Sequence, residues 1–145
     1  MLAHNAFVEA NLPGWSRPGV ITPEILDAYR APFPNYWSRI ATLANPRDIP
    51  VGEHPSAPVM QAIADDLHRL SGRPMEIIWG MRDRAIPPAL IKPWLAAFPD
   101  AQVTERPDDG HYIQEDAPEA VIEAIRRVLG KLGGESGWQQ QTPNG

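Results

Sequence analysis

Residues 75–105 read MEIIWGMRDRAIPPALIKPWLAAFPDAQVTE, and this stretch decides the fold class. It opens with a short apolar run, residues 75–79, bounded by Pro74 and Gly80. A run of this length and composition is typical of a buried parallel strand. Residues 101–105 alternate apolar and polar side chains, which predicts a second and less buried strand.

A helical segment separates the two predicted strands. Pro93 either begins this helix or kinks it. A strand, a helix and a second strand within about thirty residues form a βαβ unit, whose two strands are parallel. The apolar residues expected on one face of the helix are Ile91, Trp94, Leu95 and Phe98.

The clearest helical pattern comes after the second strand. Asp116 and Glu119 have the spacing of a capping box, which predicts that Asp116 caps the helix. Glu123 and Arg127 are one turn apart and can pair. Residues 133–145 are polar and predict a flexible tail. The apolar stripe of this helix contains Val121, Ile122, Ile125, Val128, Leu129 and Leu132.

Residues 1–72 predict short helices interrupted by proline and glycine. Pro13 and Gly14 are expected to break an N-terminal helix, and residues 46–50 are expected to be extended because they begin and end with proline. Thr22 is a good N-cap for the helix that follows it. Helices are predicted from Pro23 to before Pro32, over residues 36–44 and over residues 58–70.

Composition excludes several classes of function. The chain has 145 residues, which suits one domain, and 18 acidic against 13 basic residues, with a net charge of -5. This balance disfavours nucleic acid and anionic membrane surfaces as partners. The lack of cysteine excludes disulfides, thiolate zinc sites and cysteine nucleophiles.

Signals for a metal, a cofactor or a membrane are absent from the sequence. It has no glycine-rich phosphate loop, no apolar run of the roughly 20 residues that span a bilayer, and no signal-peptide pattern in residues 1–12. We therefore expect no metal, no cofactor and no membrane contact, and a cytoplasmic location. The four histidines, none at metal-ligand spacing from another, are His4, His54, His68 and His111.

Two titratable residues follow the two predicted strands. Asp83 lies in the loop after the first and His111 in the loop after the second. Ligands of open α/β sheets bind at the carboxyl ends of the strands, so Asp83 and His111 are expected to meet there as the acid and base of a hydrolytic triad. Asp108 and Asp109 are closer to His111 in sequence, but neighbouring loop carboxylates usually face solvent or brace the turn.

These segments resemble the C-terminal half of an α/β-hydrolase of the haloalkane dehalogenase-like group. The resemblance extends upstream to residues 31–50 and covers about residues 20–132. It is specific for an α/β-hydrolase and does not single out dehalogenation. The motifs that carry it are Trp79-Gly-Met-Arg-Asp83 followed by Pro87-Pro88, Phe98-Pro-Asp-Ala101, Asp109-Gly-His-Tyr-Ile-Gln-Glu-Asp116 and Pro118-Glu119.

The resemblance implies an α/β fold, the C-terminal portion of an α/β-hydrolase. Residues 1–72 would be a helical cap segment and its return to the sheet, and residues 73–132 a βαβα unit with parallel strands. Asp83 would be the triad acid and His111 the base. The complete enzyme would hydrolyse a small apolar substrate, such as a haloalkane, ester, epoxide or lactone.

The sequence departs from this family by lacking a nucleophile. The elbow that carries it should precede the acid, but residues 1–83 contain no Gly-x-Ser-x-Gly turn or Asp-centred counterpart. We therefore expect the chain alone to be inactive and to need an N-terminal half or self-association. The four serines rejected as nucleophiles, because none lies between a strand and a helix, are Ser16, Ser38, Ser56 and Ser71.

Three aromatic residues in the cap-like region are candidates for the substrate pocket. Trp15, Tyr36 and Trp37 could line an apolar pocket, and an indole N–H could contact halide as in dehalogenase-like enzymes; core packing is an equal alternative.

A different class of function is also compatible with the sequence. In this alternative the chain is a non-catalytic α/β module that pairs with a partner through its exposed sheet edge. A remnant with no selected function is a third interpretation that one sequence leaves open.

Overall fold

A computed structural model describes residues 4–133 of the chain. Within this range a two-stranded sheet and a series of helices alternate with short turns. The helices are, in chain order, α1 (Leu12–Trp15), α2 (Pro23–Arg30), α3 (Ile40–Arg47), α4 (Ala57–Asp66), α5 (Ile91–Ala97), α6 (Ile113–Asp116) and α7 (Pro118–Gly133). A π-helical turn, Phe7–Asn11, precedes α1, and 3-10 turns occupy Trp37–Arg39, Leu67–Leu70 and Pro88–Leu90.

The sheet consists of β1 (Glu76–Gly80) and β2 (Gln102–Arg106), which pair in parallel. Glu76 is opposite Gln102 and Gly80 is opposite Arg106, so both strands end at the same level. Helix α5 connects them, as the βαβ prediction requires, and Pro93 lies in its first turn, where the missing N–H costs no helical bond. The predicted α/β class and the parallel strands are confirmed.

Strand β1 is less buried than its sequence suggests. Only Gly80 is fully buried, while the other four residues of β1 are half-buried. No third strand pairs with the sheet among residues 4–133, so each strand keeps a free edge. Strand β1 is therefore more apolar than its partial burial in the described part of the chain requires.

Helix α7 packs against β1 and carries a long apolar stripe. Arg127 donates from Nε and Nη2 to Glu76 Oε2, at 3.1 and 2.9 Å, and Lys131 Nζ is 3.5 Å from Glu76 Oε1. The hydrogen bonds of Arg127 thus go to Glu76, while the charge of Glu123 adds a smaller Coulombic effect that raises the pKa of Arg127. A buried carboxylate on β1 offers the guanidinium a stronger interaction than an exposed glutamate one turn away.

The helices before the sheet, in residues 4–72, follow the predictions in part. Helix α2 begins after Thr22, whose side chain accepts a hydrogen bond from the Ile25 N–H at 3.3 Å, as expected. The helix predicted over residues 58–70 exists, but its end tightens into a 3-10 turn.

Two proline positions contradict the predictions. Helix α1 contains Pro13, which lies in its first turn and so costs no helical bond. Helix α3 runs through Pro46 to Arg47, although residues 46–50 were expected to be extended. Pro46 lies in the last turn of α3, where the N–H of Asp48 still bonds to the carbonyls of Ala44 and Asn45, both at 3.1 Å.

Between residues 4 and 133 few apolar side chains are buried. They lie in the π-helical turn and α1, in and just after α5, and at the start and middle of α7. They are Val8, Leu12, Ile91, Phe98, Ala117 and Ala124. Of the predicted tail, residues 133–145, only Gly133 is described, and it ends α7; residues 134–145 lie outside the described residues.

Candidate active site

Asp83 is held by the turn that follows β1. Its Oδ1 accepts hydrogen bonds from the N–H groups of Ala85 and Ile86, both at 2.8 Å. Its own N–H donates to the carbonyl of Gly80 at 3.1 Å. The side chain is 9% exposed, so this turn holds a nearly buried carboxylate and leaves Oδ2 for another partner.

That partner is His111, in the loop after β2. His111 Nδ1 lies 2.9 Å from Asp83 Oδ2. A carboxylate can only accept, so Nδ1 carries the proton and Nε2 of the neutral imidazole is an acceptor. No described residue hydrogen-bonds to Nε2. The arrangement can therefore take a proton at Nε2 and stabilise the resulting imidazolium through Asp83.

The pair borders a small open cavity of about 200 Å³ at the carboxyl ends of both strands. Such a site, above the ends of parallel strands, is where open α/β proteins bind ligands. Most of the lining is apolar, which favours an uncharged ligand. Besides Asp83 and His111, the lining residues are Ile78, Trp79, Gly80, Ile86, Gly110 and Ile113.

Two glycines allow the loops to approach each other. A β-carbon on Gly80 would overlap the carbonyl oxygen of Gly110, and a β-carbon on Gly110 would overlap the carbonyl of Trp15. The Arg82 N–H donates to the carbonyl of Asp109 at 3.0 Å and joins the two loops directly. A side chain at Gly80 would separate the loops that carry Asp83 and His111, and a side chain at Gly110 would separate the His111 loop from the end of α1.

A second set of charged groups surrounds the loop before His111. Asp109 is 1% exposed and accepts from Arg106 Nε at 2.7 Å, while Arg17 Nη1 lies 3.5 Å from its other oxygen. The hydrogen bond that Arg106 donates to Asp109 raises the pKa of the Arg106 guanidinium. Asp108 is largely exposed and pairs with Arg82. Neither aspartate hydrogen-bonds to the imidazole of His111.

Asp116 does not act as the predicted helix cap. It ends α6, and its 2% exposed side chain accepts from the main-chain N–H groups of Arg17 and Gly110. The capping-box spacing identified an acidic residue but assigned it the wrong partners. No local pattern could have identified Arg17, because its donor reaches Asp116 from a distant part of the chain.

Tyr112 follows His111, and their rings meet edge to face with centroids 5.1 Å apart. Burial raises the pKa of the Tyr112 hydroxyl, and the nearby Tyr29 adds to the effect. A phenol with a raised pKa stays protonated at neutral pH, so Tyr112 does not compete with His111 as a base.

The predicted pocket aromatics have different positions. Trp15 contacts the His111 ring edge to face, with centroids 5.7 Å apart, and its carbonyl accepts from the His111 N–H at 2.8 Å. Tyr36 and Trp37 contact each other, and Trp37 is 76% exposed. None of the three predicted aromatics, Trp15, Tyr36 and Trp37, lines the cavity beside Asp83 and His111.

No serine in the described part of the chain hydrogen-bonds to His111. The hydroxyls of Ser16, Ser38 and Ser56 donate to main-chain carbonyls instead. Between residues 4 and 133 no three His, Asp or Glu side chains form a group that could hold a metal ion. In the same range no helix is long and apolar enough to cross a membrane.

Comparisons with known proteins place this geometry in a family. The chain is 35% identical to haloalkane dehalogenase 2 of Mycobacterium tuberculosis over 134 residues, 90% of this chain and 44% of that protein. It superimposes on a haloalkane dehalogenase loop variant from Bradyrhizobium elkanii with a TM-score of 0.82 and 30% identity, covering 94% of this chain and 45% of the other. The chain belongs to the haloalkane dehalogenase-like α/β-hydrolases.

The chain has the architecture of the C-terminal portion of this fold, and it spans less than half the length of the curated relatives that it matches. A relative of another kind is the cis-3-alkyl-4-alkyloxetan-2-one decarboxylase of Shewanella oneidensis, 36% identical over 107 residues, 72% of this chain and 33% of that protein. No family model matches the sequence.

Proposed function

We propose that this chain supplies the acid and the base of a hydrolytic triad, Asp83 and His111, to a dehalogenase-like α/β-hydrolase. The observation that carries the proposal is the contact between Asp83 Oδ2 and His111 Nδ1 at 2.9 Å. The contact lies where two adjacent parallel strands end, beside a cavity that His111 lines. Carboxylate, imidazole and cavity are in the arrangement that hydrolytic triads require.

In this proposal His111 acts through Nε2. With a carboxylate nucleophile, the carboxylate displaces halide from a haloalkane and forms an ester. His111 then accepts a proton from water, the hydroxide attacks the ester carbonyl, and the alcohol leaves as the carboxylate is regenerated. With a serine nucleophile, His111 takes the hydroxyl proton directly. In both cases Asp83 stabilises the imidazolium that forms.

The proposed substrate is small and mostly apolar. Ile78, Ile86 and Ile113 line the cavity beside the pair and offer little to a charged ligand. The names of the relatives support two members of the proposed class, a haloalkane and a strained lactone ring, since oxetan-2-one is a four-membered lactone. Esters and epoxides are the other candidates.

The proposed nucleophile lies on a segment outside the 145 residues. Residues 1–83 contain no elbow motif, and none of the described serines contacts His111. The matched relatives are long enough to contain such a segment in addition to the part aligned here. On this proposal the chain alone is inactive.

The decisive experiment joins this chain to the segment of the Mycobacterium relative that lies outside the match. Purified fusion protein would be assayed for halide release from a haloalkane and for hydrolysis of an ester, an epoxide and a β-lactone. The controls are the chain alone, the added segment alone and the fusion with His111→Ala. Sequencing in frame upstream of the Met1 codon would show whether a native elbow exists and whether Ser or Asp is at its centre.

Turnover by the fusion that is lost with His111→Ala supports the proposal. A folded fusion that is inactive on all four substrates, or one whose activity survives His111→Ala, contradicts it. Hydrolysis by the chain alone would contradict the assignment of the nucleophile to another segment.

A non-catalytic interaction module is the second candidate. The free edge of β1 and the apolar groove between β1 and α7, about 370 Å³, favour it. Under this alternative the chain acts only by associating with a partner, and His111→Ala leaves that association unchanged. The groove residues include Ile78, Ile113, Val121, Ile125, Val128 and Leu129.

A further inference from the structure

Asp116 joins two segments that are far apart in the chain. Its Oδ1 and Oδ2 accept from the Arg17 N–H at 2.9 and 3.0 Å, and Oδ2 also accepts from the Gly110 N–H at 2.6 Å. The Arg17 guanidinium donates back to the main-chain carbonyl of Asp116 at 2.9 Å. A buried carboxylate that accepts main-chain N–H groups from two loops holds both in place.

The residue next to Gly110 is His111, and its backbone is held on the other side by Trp15. The His111 N–H donates to the Trp15 carbonyl at 2.8 Å, and that carbonyl also lies against the α-carbon of Gly110. Residues 15–17 and Asp116 therefore form a clamp around residues 110–111. We use the name His111 clamp for these four residues: Trp15, Ser16, Arg17 and Asp116.

Asp83 is positioned independently of this clamp. Its Oδ1 is fixed by N–H groups from its own turn, Ala85 and Ile86. The distance between Asp83 Oδ2 and His111 Nδ1 is therefore set by where the loop after β2 places His111. The groups that hold this loop include the His111 clamp, the link from Arg82 to Asp109 and the bond from Arg106 to the Asp109 carboxylate.

We infer that Asp116, through the N–H groups of Gly110 and Arg17, is a positioning residue that holds His111 with Nδ1 toward Asp83 and Nε2 toward the cavity. The inference rests on the proposed function of His111 as the base. It assigns a role in the site to a residue that touches neither Asp83 nor the imidazole.

The test reads the tautomer of His111 in the full 145-residue chain by long-range 1H–15N spectra at neutral pH. The first variant is Asp116→Asn, which replaces one acceptor oxygen by an NH₂ donor that faces the Arg17 N–H in either orientation of the amide. Its control is Asp109→Asn, another buried carboxylate of the same loop, which contacts only the side chains of Arg106 and Arg17. Circular dichroism selects conditions under which each variant is folded.

A second pair of variants isolates a single N–H group. Arg17→Ala removes the guanidinium and keeps the N–H donor to Asp116, whereas Arg17→Pro removes both. Ser16 is extended, with ψ at 165°, which is the conformation that a residue before proline requires. The difference between the two variants reports the loss of the N–H bond together with the constraint that the proline ring places on φ.

Wild type is expected to show the Nδ1–H tautomer of His111. Asp116→Asn and Arg17→Pro should shift His111 toward the Nε2–H form that dominates in free imidazole side chains, while Asp109→Asn and Arg17→Ala should not. If Arg17→Pro unfolds the chain, the comparison of Asp116→Asn with Asp109→Asn decides the test. An Nε2–H tautomer in wild type, or a tautomer unchanged by Asp116→Asn in the folded chain, would overturn the inference.

The same variants in the active fusion separate this inference from the proposed function. A positioning role predicts a fall in kcat of about 10²-fold for Asp116→Asn with little change in KM, because the base is misplaced after the substrate binds. An inactive fusion with the normal tautomer response refutes the proposed function and leaves the positioning role intact. An active fusion in which Asp116→Asn changes neither kcat nor tautomer refutes the positioning role alone.

Discussion

The carbonyl of Trp15 lies against the α-carbon of Gly110, so closely that a β-carbon at position 110 would overlap it. The contact brings the end of α1 to the loop that carries His111. It connects the helical segment to the sheet at the point where the acid and base meet. It also requires that position 110 has no side chain.

Gly110→Ala is expected to destabilise the chain by about 3 kcal/mol, because the methyl group cannot fit without moving the loop. Gly130→Ala is the matched control. Gly130 lies in α7 with open space around it, so alanine there should stabilise the chain by about 0.5–1 kcal/mol. Urea unfolding measures both. Equal stability of the two variants would show that the approach of Trp15 to Gly110 is not close in solution.

Asp83→Asn is expected to lower the turnover of the active fusion by about 10³ to 10⁴-fold. The asparagine oxygen can still accept from Ala85 and Ile86, so the turn is retained. Its NH₂ group would face His111 Nδ1 and force the proton onto Nε2, where a base needs a lone pair. The control Asp108→Asn changes an exposed carboxylate that pairs with Arg82, and it should leave kcat within a few fold of wild type. A similar loss in both variants would mean that loop charge matters rather than the contact with His111.

The stability of the chain should depend on Glu76 under acidic conditions. Hydrogen bonds from Arg127 hold the pKa of the Glu76 carboxyl below its usual value, against the opposing effect of burial. Because the folded pKa is the lower one, the unfolded chain binds the proton first. The stabilisation is complete above the unfolded pKa, about 4.3, and is lost as the pH falls through the folded pKa.

Arg127→Gln is therefore expected to flatten the acid limb of the stability profile. Arg126→Gln removes the same charge from the same helix without a contact to Glu76, and it should keep the slope. Urea midpoints measured from pH 7 down to the acid transition compare the two. An equal change in slope for both variants would assign the effect to net charge instead of the Glu76 contact.

The apolar groove along β1 and α7 should make the chain associate. Ile125 and Leu129 line it and are 53% and 60% exposed, which leaves a large apolar face in contact with water. Sedimentation of the chain alone should show an average mass that rises with concentration, and Ile125→Glu with Leu129→Glu should suppress the rise. Val51→Glu also adds charge at an exposed apolar residue, outside this groove, and should not. A monomeric wild type at all concentrations would contradict this expectation.

The positions of Asp83 and His111 could be predicted because they depend on few rules. The runs that form strands are local features of the sequence. The helix between the two strands implies parallel pairing, and the carboxyl ends of parallel strands meet at one edge of the sheet. Thr22 at the start of α2 is equally local, since its side chain bonds three residues ahead. The pocket roles of Tyr36 and Trp37 had no such rule behind them, and the structure brings neither into the cavity beside the pair.

The sequence by itself determined the α/β class, the parallel strands and the two residues that follow them, because each depends on neighbours within a few positions. Only the tertiary structure decided the partners of Asp116 and Arg127. Both had a plausible partner within four residues in the sequence, yet Asp116 binds the Arg17 N–H and Arg127 binds Glu76, each on a distant segment. A buried carboxylate must accept hydrogen bonds from whichever donors pack against it. The packing of segments far apart in the chain decides which donors these are.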